Sequence, residues 1–103
     1  MIKVNIEKNN TKITSLKVSG HSNYDEKGKD IVCAGVSAVV VGGINSLLNE
    51  SKNAIDYECK EGYSYIFVKD IGNDNIQKIL DVITTQLYTI EESYPKFIKI
   101  IEK

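Results

Sequence analysis

Arginine is absent from this chain of 103 residues, so all thirteen basic side chains are lysines. Without guanidinium forks, bidentate reading of guanine edges and the strongest phosphate clamps are unavailable. No basic block or RNA-binding motif compensates, and the formal charge is −1, so no direct nucleic-acid binding is expected. Cysteine and histidine are scarce as well: Cys33, Cys59 and the lone His21, with no Cys-x-x-Cys spacing. That set is too poor for a structural zinc site, and neither a metal nor another cofactor is expected. In a reducing compartment the two cysteines are free thiols rather than a disulfide. Long apolar runs are missing too. The longest, Val36 to Ile44, is interrupted by Ser37, Gly42 and Gly43 and falls short of a bilayer span. Met1 to Ile6 alternates apolar and polar from the start and leaves no core for a signal peptide. The expectation is a soluble cytoplasmic protein with no membrane contact.

What is present describes an ordinary globular chain, 42% hydrophobic and 26% charged, sized for a single domain over residues 1–103. Ile2, Val4 and Ile6 share one face of an alternating strand, and Asn9-Asn10 offers a turn. Thr11 to Ser19 gives a second strand in which Ile13 falls out of phase with Leu16 and Val18, the mark of a bulge. Residues 22–32 form a polar surface loop. From Cys33 to Asn49 the pattern is mixed: Val39-Val40-Val41 and the Gly42-Gly43 pair oppose a helix, at about 1 kcal/mol per glycine. Length and the recurrence of Val36, Val40, Ile44 and Leu47 nevertheless predict a buried helix. Ile55 to Lys60 and Tyr63 to Val68 flank Glu61-Gly62 as a hairpin. Asn73-Asp74 caps a second helix running to Ser93, and residues 96–101 give a short C-terminal edge strand. Strand-strand-helix-strand-strand-helix predicts an α+β domain of two layers, an antiparallel sheet with both helices on it.

The chemistry concentrates at residues 20–37. Cys33 falls in the predicted first turn of a helix, where free backbone N–H groups and the helix dipole favour a thiolate. Thiols in such settings ionise at about 3.5–7.5 rather than about 8.5. His21, twelve positions upstream, is the only side chain whose ordinary titration lies near neutrality and is the candidate base. The N–H groups at the helix start, that of Cys33 included, could serve a tetrahedral oxyanion. On these local grounds alone an inert buried cysteine is slightly the commoner outcome. Asp30 could orient the imidazole, cap the helix or lie solvated. Ser37, one turn after Cys33, could face a substrate or bond back to its own helix. Cys59 shares a strand face with Ile55 and Tyr57 and is expected in the core. Glu91 and Glu92 are expected at a solvated helix end.

Gly20-His21-Ser22, Gly28-x-Asp30 and Ile31-Val-Cys33-Ala-Gly-Val-Ser37 together resemble the signature of the ribosomal-processing cysteine proteases, the Prp family, and the likeness extends over essentially the whole chain. That resemblance implies an α+β homodimer. It implies removal of the N-terminal extension of large-subunit ribosomal protein twenty-seven, with cleavage after an aromatic residue. It also implies a dyad of Cys33 as nucleophile and His21 as base, with Gly20, Asp30 and Ser37 in supporting positions. The loop carrying Ser22, Asn23, Tyr24 and Gly28 corresponds to a mobile segment that closes over the substrate peptide. One departure stands out: Ser22 occupies a position where the family more often has alanine. The alternatives are a non-catalytic peptide-binding or ribosome-assembly module of the same fold, and a thiol redox protein, for which no resolving cysteine lies close in sequence.

Overall fold

In a computed structural model describing residues 1–103, the chain order is β1 (Ile2–Asn9), β2 (Lys12–Ser19), α1 (Ile31–Glu50), β3 (Ile55–Lys60), β4 (Tyr63–Val68), α2 (Asp74–Ser93) and β5 (Ile98–Glu102). The strands form one sheet in the order β3-β4-β2-β1-β5. The four strands of the two hairpins pair antiparallel, as expected. The C-terminal strand adds parallel to β1, with Ile2 opposite Ile98 and Val4 opposite Ile100, so the sheet is mixed.

The two helices are crossovers. β2–α1–β3 runs one way across the sheet and β4–α2–β5 the other, starting from antiparallel strands. Crossovers of equal handedness therefore place both helices on the same face. That face is the core: Ile2, Val4, Ile6, Leu16, Val18, Ile66, Val68 and Ile98 from the sheet meet Val32, Val36, Val40, Ile44 and Leu47 of α1, and Ile76, Leu80, Ile83 and Leu87 of α2. The expected bulge lies in β2. Glu7 pairs with Ser15 and Lys8 with Ile13, which leaves Thr14 unpaired and turns both Ile13 and Leu16 inward.

α1 is long and apolar enough to cross a membrane by length and composition, contrary to the expectation from the interrupted run. Here it serves as a core helix, because one side of it supplies six buried residues. Gly43 lets the helices approach: a Cβ there would lie 2.5 Å from Ile83 Cδ1. One of the two glycines that weaken the helix locally is thus its point of closest contact with α2, while Gly42 has open space beside it.

Candidate active site

α1 begins because Asp30 caps it. Its Oδ1 accepts the Cys33 N–H at 2.9 Å, with the extended backbone an N-cap adopts. Its other oxygen, Oδ2, accepts the Ser22 hydroxyl and the Tyr24 N–H, the latter at 3.1 Å. Burial pushes the Asp30 carboxyl up, but hydrogen bonds from Ser22, Cys33, Asp25 and Tyr24 together outweigh it and hold it at about 2. Of the three roles open to Asp30, the structure gives it the cap and the loop anchor; its hydrogen bonds do not include the imidazole. The Cys33 N–H is also committed to this cap, so it is not free for an oxyanion as the helix start had suggested.

Cys33 is half-buried. Its sulfur lies 3.4 Å from the Ser22 N and 3.4 Å from the Ser22 Oγ. Ser22, placed by sequence at the start of a mobile loop, is instead 2% exposed and tied to both Cys33 and Asp30. The reason is electrostatic: a carboxylate and a helix N-terminus together hold a small hydroxyl better than water does. Tyr24 also leaves the cleft, packing edge-on to Tyr94 and Phe97 at 5.6 and 5.1 Å between ring centroids. Asn23 and Gly28 stay exposed on the loop and line the cleft.

His21 follows Gly20 at the end of β2. Gly20 has φ +91, a Cβ there would lie 2.7 Å from the Met1 carbonyl oxygen, and its N–H donates to the Gly62 carbonyl at 3.0 Å. The chain is therefore held close to the β3–β4 turn. There Gly62, at φ +75, leaves the space the imidazole occupies: a Cβ would lie 2.9 Å from His21 Nε2. Both the positive φ and the close approach require glycine. Glu61 beside it pairs with Lys27 of the loop at 2.9 Å. That hydrogen bond lowers the Glu61 carboxyl and raises the Lys27 ammonium, and His21 adds a smaller downward pull on Glu61.

These residues border one cleft of about 750 Å³ between the exposed side of α1 and the β3–β4 hairpin. Gly20, His21, Asp30, Cys33 and Ser37 all line it, and Ser37 stands one turn beyond Cys33 on α1. The sequence missed the opposite wall, Cys59 to Ser64. Cys59 is exposed rather than packed in the core. β3 is an edge strand whose only buried residue is Ile55, so the face Cys59 shares with Ile55 and Tyr57 runs out beyond the helices. The Glu61-Gly62 turn was legible, but nothing local showed that it faces His21.

Comparison with known proteins bears on the chain as a whole. The family model described as Cysteine protease Prp matches residues 1–99. The ribosomal processing cysteine protease Prp of Staphylococcus aureus (strain NCTC 8325 / PS 47) is 39% identical over 103 residues, covering 97% of each chain. That of Bacillus subtilis (strain 168) is 35% identical over 101 residues, covering 91% of this chain and 90% of its own. The chain belongs to the cysteine protease Prp family. The crystal structure of Prp from S. aureus in complex with a covalently linked product peptide superposes with a TM-score of 0.95 at 37% identity, over the full length of both chains. A second, in complex with a substrate peptide, gives a TM-score of 0.88 at 36% identity over the same extent. The α+β architecture is thus that of the Prp proteases, and the chain is a cysteine protease.

Proposed function

We propose that this protease removes the N-terminal extension of large-subunit ribosomal protein twenty-seven, cutting after an aromatic residue, with Cys33 as nucleophile and His21 as general base. The observation that carries the proposal is a half-buried thiol at a helix start sharing one cleft with the sole histidine. It is supported by the S. aureus relative of the same fold that holds a covalently linked product peptide.

His21 takes the thiol proton, and the sulfur attacks the scissile carbonyl carbon. Collapse of the tetrahedral intermediate expels the amine, which receives that proton, and leaves the acyl group as a thioester on Cys33. Water, deprotonated by His21, then releases the new carboxyl terminus. With the Cys33 N–H held by Asp30, the Ser22 N–H, which faces the sulfur, is a donor placed for the oxyanion. Gly20 places the base, Asp30 fixes the helix start, and Ser37 borders the substrate path. The loop from Ser22 to Gly28 closes over the peptide by moving its Asp25–Gly28 part beyond Ser22 and Tyr24, both of which Asp30 holds. The apolar residues of the cleft, among them Val18, Val36 and Val41, suit an aromatic side chain, and the free edge of β3 suits an extended backbone.

A homodimer in the cytoplasm completes the proposal. It is supported by Ile31, an apolar side chain 54% exposed at the start of α1 and outside the cleft lining. A peptide copying the extension tests the function: wild type cuts it after the aromatic residue, and Cys33→Ala and His21→Ala do not. Binding of the peptide without cleavage by the wild type would mean a module that grips rather than cuts.

A further inference from the structure

The strongest unassigned feature is the side chain of Ser22, at the position where the resemblance expects alanine. Its Oγ has a single proton. Asp30 is a carboxylate and can only accept, so that proton points to Asp30 Oδ2. The Tyr24 N–H already donates to the same Oγ at 3.3 Å. What remains to face the Cys33 sulfur, 3.4 Å away, is an oxygen lone pair. A lone pair attracts a thiol S–H and repels a thiolate. The sulfur has no hydrogen bond with His21 in this arrangement; its two partners both belong to Ser22. One is the backbone N–H, which donates to sulfur and stays in place in any Ser22 variant, and the other is the hydroxyl.

We propose that Ser22 is a positioning residue that keeps the resting nucleophile protonated, with the thiol hydrogen directed along a chain from Cys33 through the Ser22 hydroxyl to Asp30. Forming the thiolate then requires the Ser22 hydroxyl to turn from Asp30 to the sulfur, or the proton to leave toward His21. Releasing Ser22 from Asp30 also loosens the loop at Tyr24, because Tyr24 N–H bonds to both. Nucleophile activation and loop release are thereby linked through one hydroxyl. The inference rests on Cys33 being the nucleophile, and its test reads thiol chemistry rather than peptide cleavage. Failure here would leave the protease reading standing.

Other charged and titratable groups line the same cleft. The loop brings His21, Asp25 and Lys27, and the β3–β4 hairpin brings Cys59, Lys60, Glu61 and Tyr63. All of them remain in a Ser22 variant, so a comparison with wild type isolates the hydroxyl. The experiment is iodoacetamide labelling of Cys33 from pH 5 to 9, followed on the Cys33 peptide by mass spectrometry so that Cys59 is counted separately. Losing one neutral hydrogen bond to the S–H form should make Ser22→Ala react about fivefold faster at pH 6, with the two profiles meeting at high pH. A role in packing alone would change the rate equally at all pH values. An unchanged or slower rate at pH 6 would overturn the proposal. If Ser22→Ala does not fold, Ser22→Gly removes the same hydroxyl and leaves Asp30 and every other charge in place. Labelling at pH 6 then rises as it does for alanine. A rate at or below that of wild type in this variant would equally overturn the proposal.

Discussion

Replacing Asp30 by alanine should cost the fold about 2 kcal/mol, and the cost follows from two separate losses. One is the helix cap, the Cys33 N–H at 2.9 Å, for which alanine typically forfeits about 1 kcal/mol. The other is the acceptor for the Ser22 hydroxyl, a group 2% exposed. Leaving it without Asp30 costs about 1 kcal/mol, the low end for a buried donor, since the nearby sulfur can take the bond instead. For a domain of this size 2 kcal/mol lowers Tm by about 10 °C. The pH dependence has a definite sign. Asp30 titrates at about 2 in the fold against an ordinary value of 3.8, so on acidification the unfolded chain takes up the proton first. The stabilisation is complete above about pH 4 and is lost as pH falls from there toward 2. Thermal melts followed by circular dichroism at pH 7, 5, 4 and 3 should show a constant gap between wild type and Asp30→Ala down to pH 5, narrowing below pH 4. A gap under 2 °C at pH 7, or one that widens in acid, would refute the reasoning. Asp30→Asn, which keeps the cap acceptor and loses the second one, should fall between the two.

Three further outcomes are expected. Gly62→Ala forces a Cβ to 2.9 Å from His21 Nε2 at a φ of +75. It should cost about 1 kcal/mol of stability while lowering kcat/KM about tenfold on the extension peptide, and full activity would show that this glycine does not place the imidazole. Gly43→Ala sets a Cβ 2.5 Å from Ile83 Cδ1. Overpacking of about 1–3 kcal/mol, less about 1 kcal/mol of helix propensity, should lower Tm, and Ile83→Val in the same chain should recover only part of it, because Ile83 Cγ1, which valine keeps, also lies 2.6 Å from that Cβ. Lys27→Met removes an ion pair whose partners are 87% and 70% exposed; urea unfolding should register a change well under 1 kcal/mol.

Much of the fold could be read from local pattern, and the places where it could not share a cause. α2 was legible because Ile76, Leu80, Ile83 and Leu87 recur at helical spacing behind an Asn73 cap whose Oδ1 accepts two N–H groups. The bulge was legible because Ile13 breaks the alternation. α1 was harder, since its glycines count against a helix until Ile83 is seen lying against Gly43. β5 was expected as an edge strand, but its parallel pairing with β1 depends on a crossover that leaves no mark in residues 96–101. Cys59 was misread because alternation identifies a strand face without saying whether a helix reaches it. Glu91, expected at a solvated helix end, accepts the Ile100 N–H at 2.7 Å, an interaction set by how α2 lies beside β5. In the site itself, the motif brought His21, Asp30, Cys33 and Ser37 to notice. The burial of Ser22 and the wall from Cys59 to Ser64 arise from contacts distant in sequence or from hydrogen bonds that composition does not encode.

Cys33 as the acylated nucleophile is most directly tested by quenching the enzyme in acid during turnover of the extension peptide and weighing the intact protein. The account predicts a mass increase equal to the N-terminal fragment less one water, joined as a thioester and mapped to Cys33. Cleavage that proceeds at the wild-type rate in Cys33→Ala, with no adduct on the wild type, would contradict it.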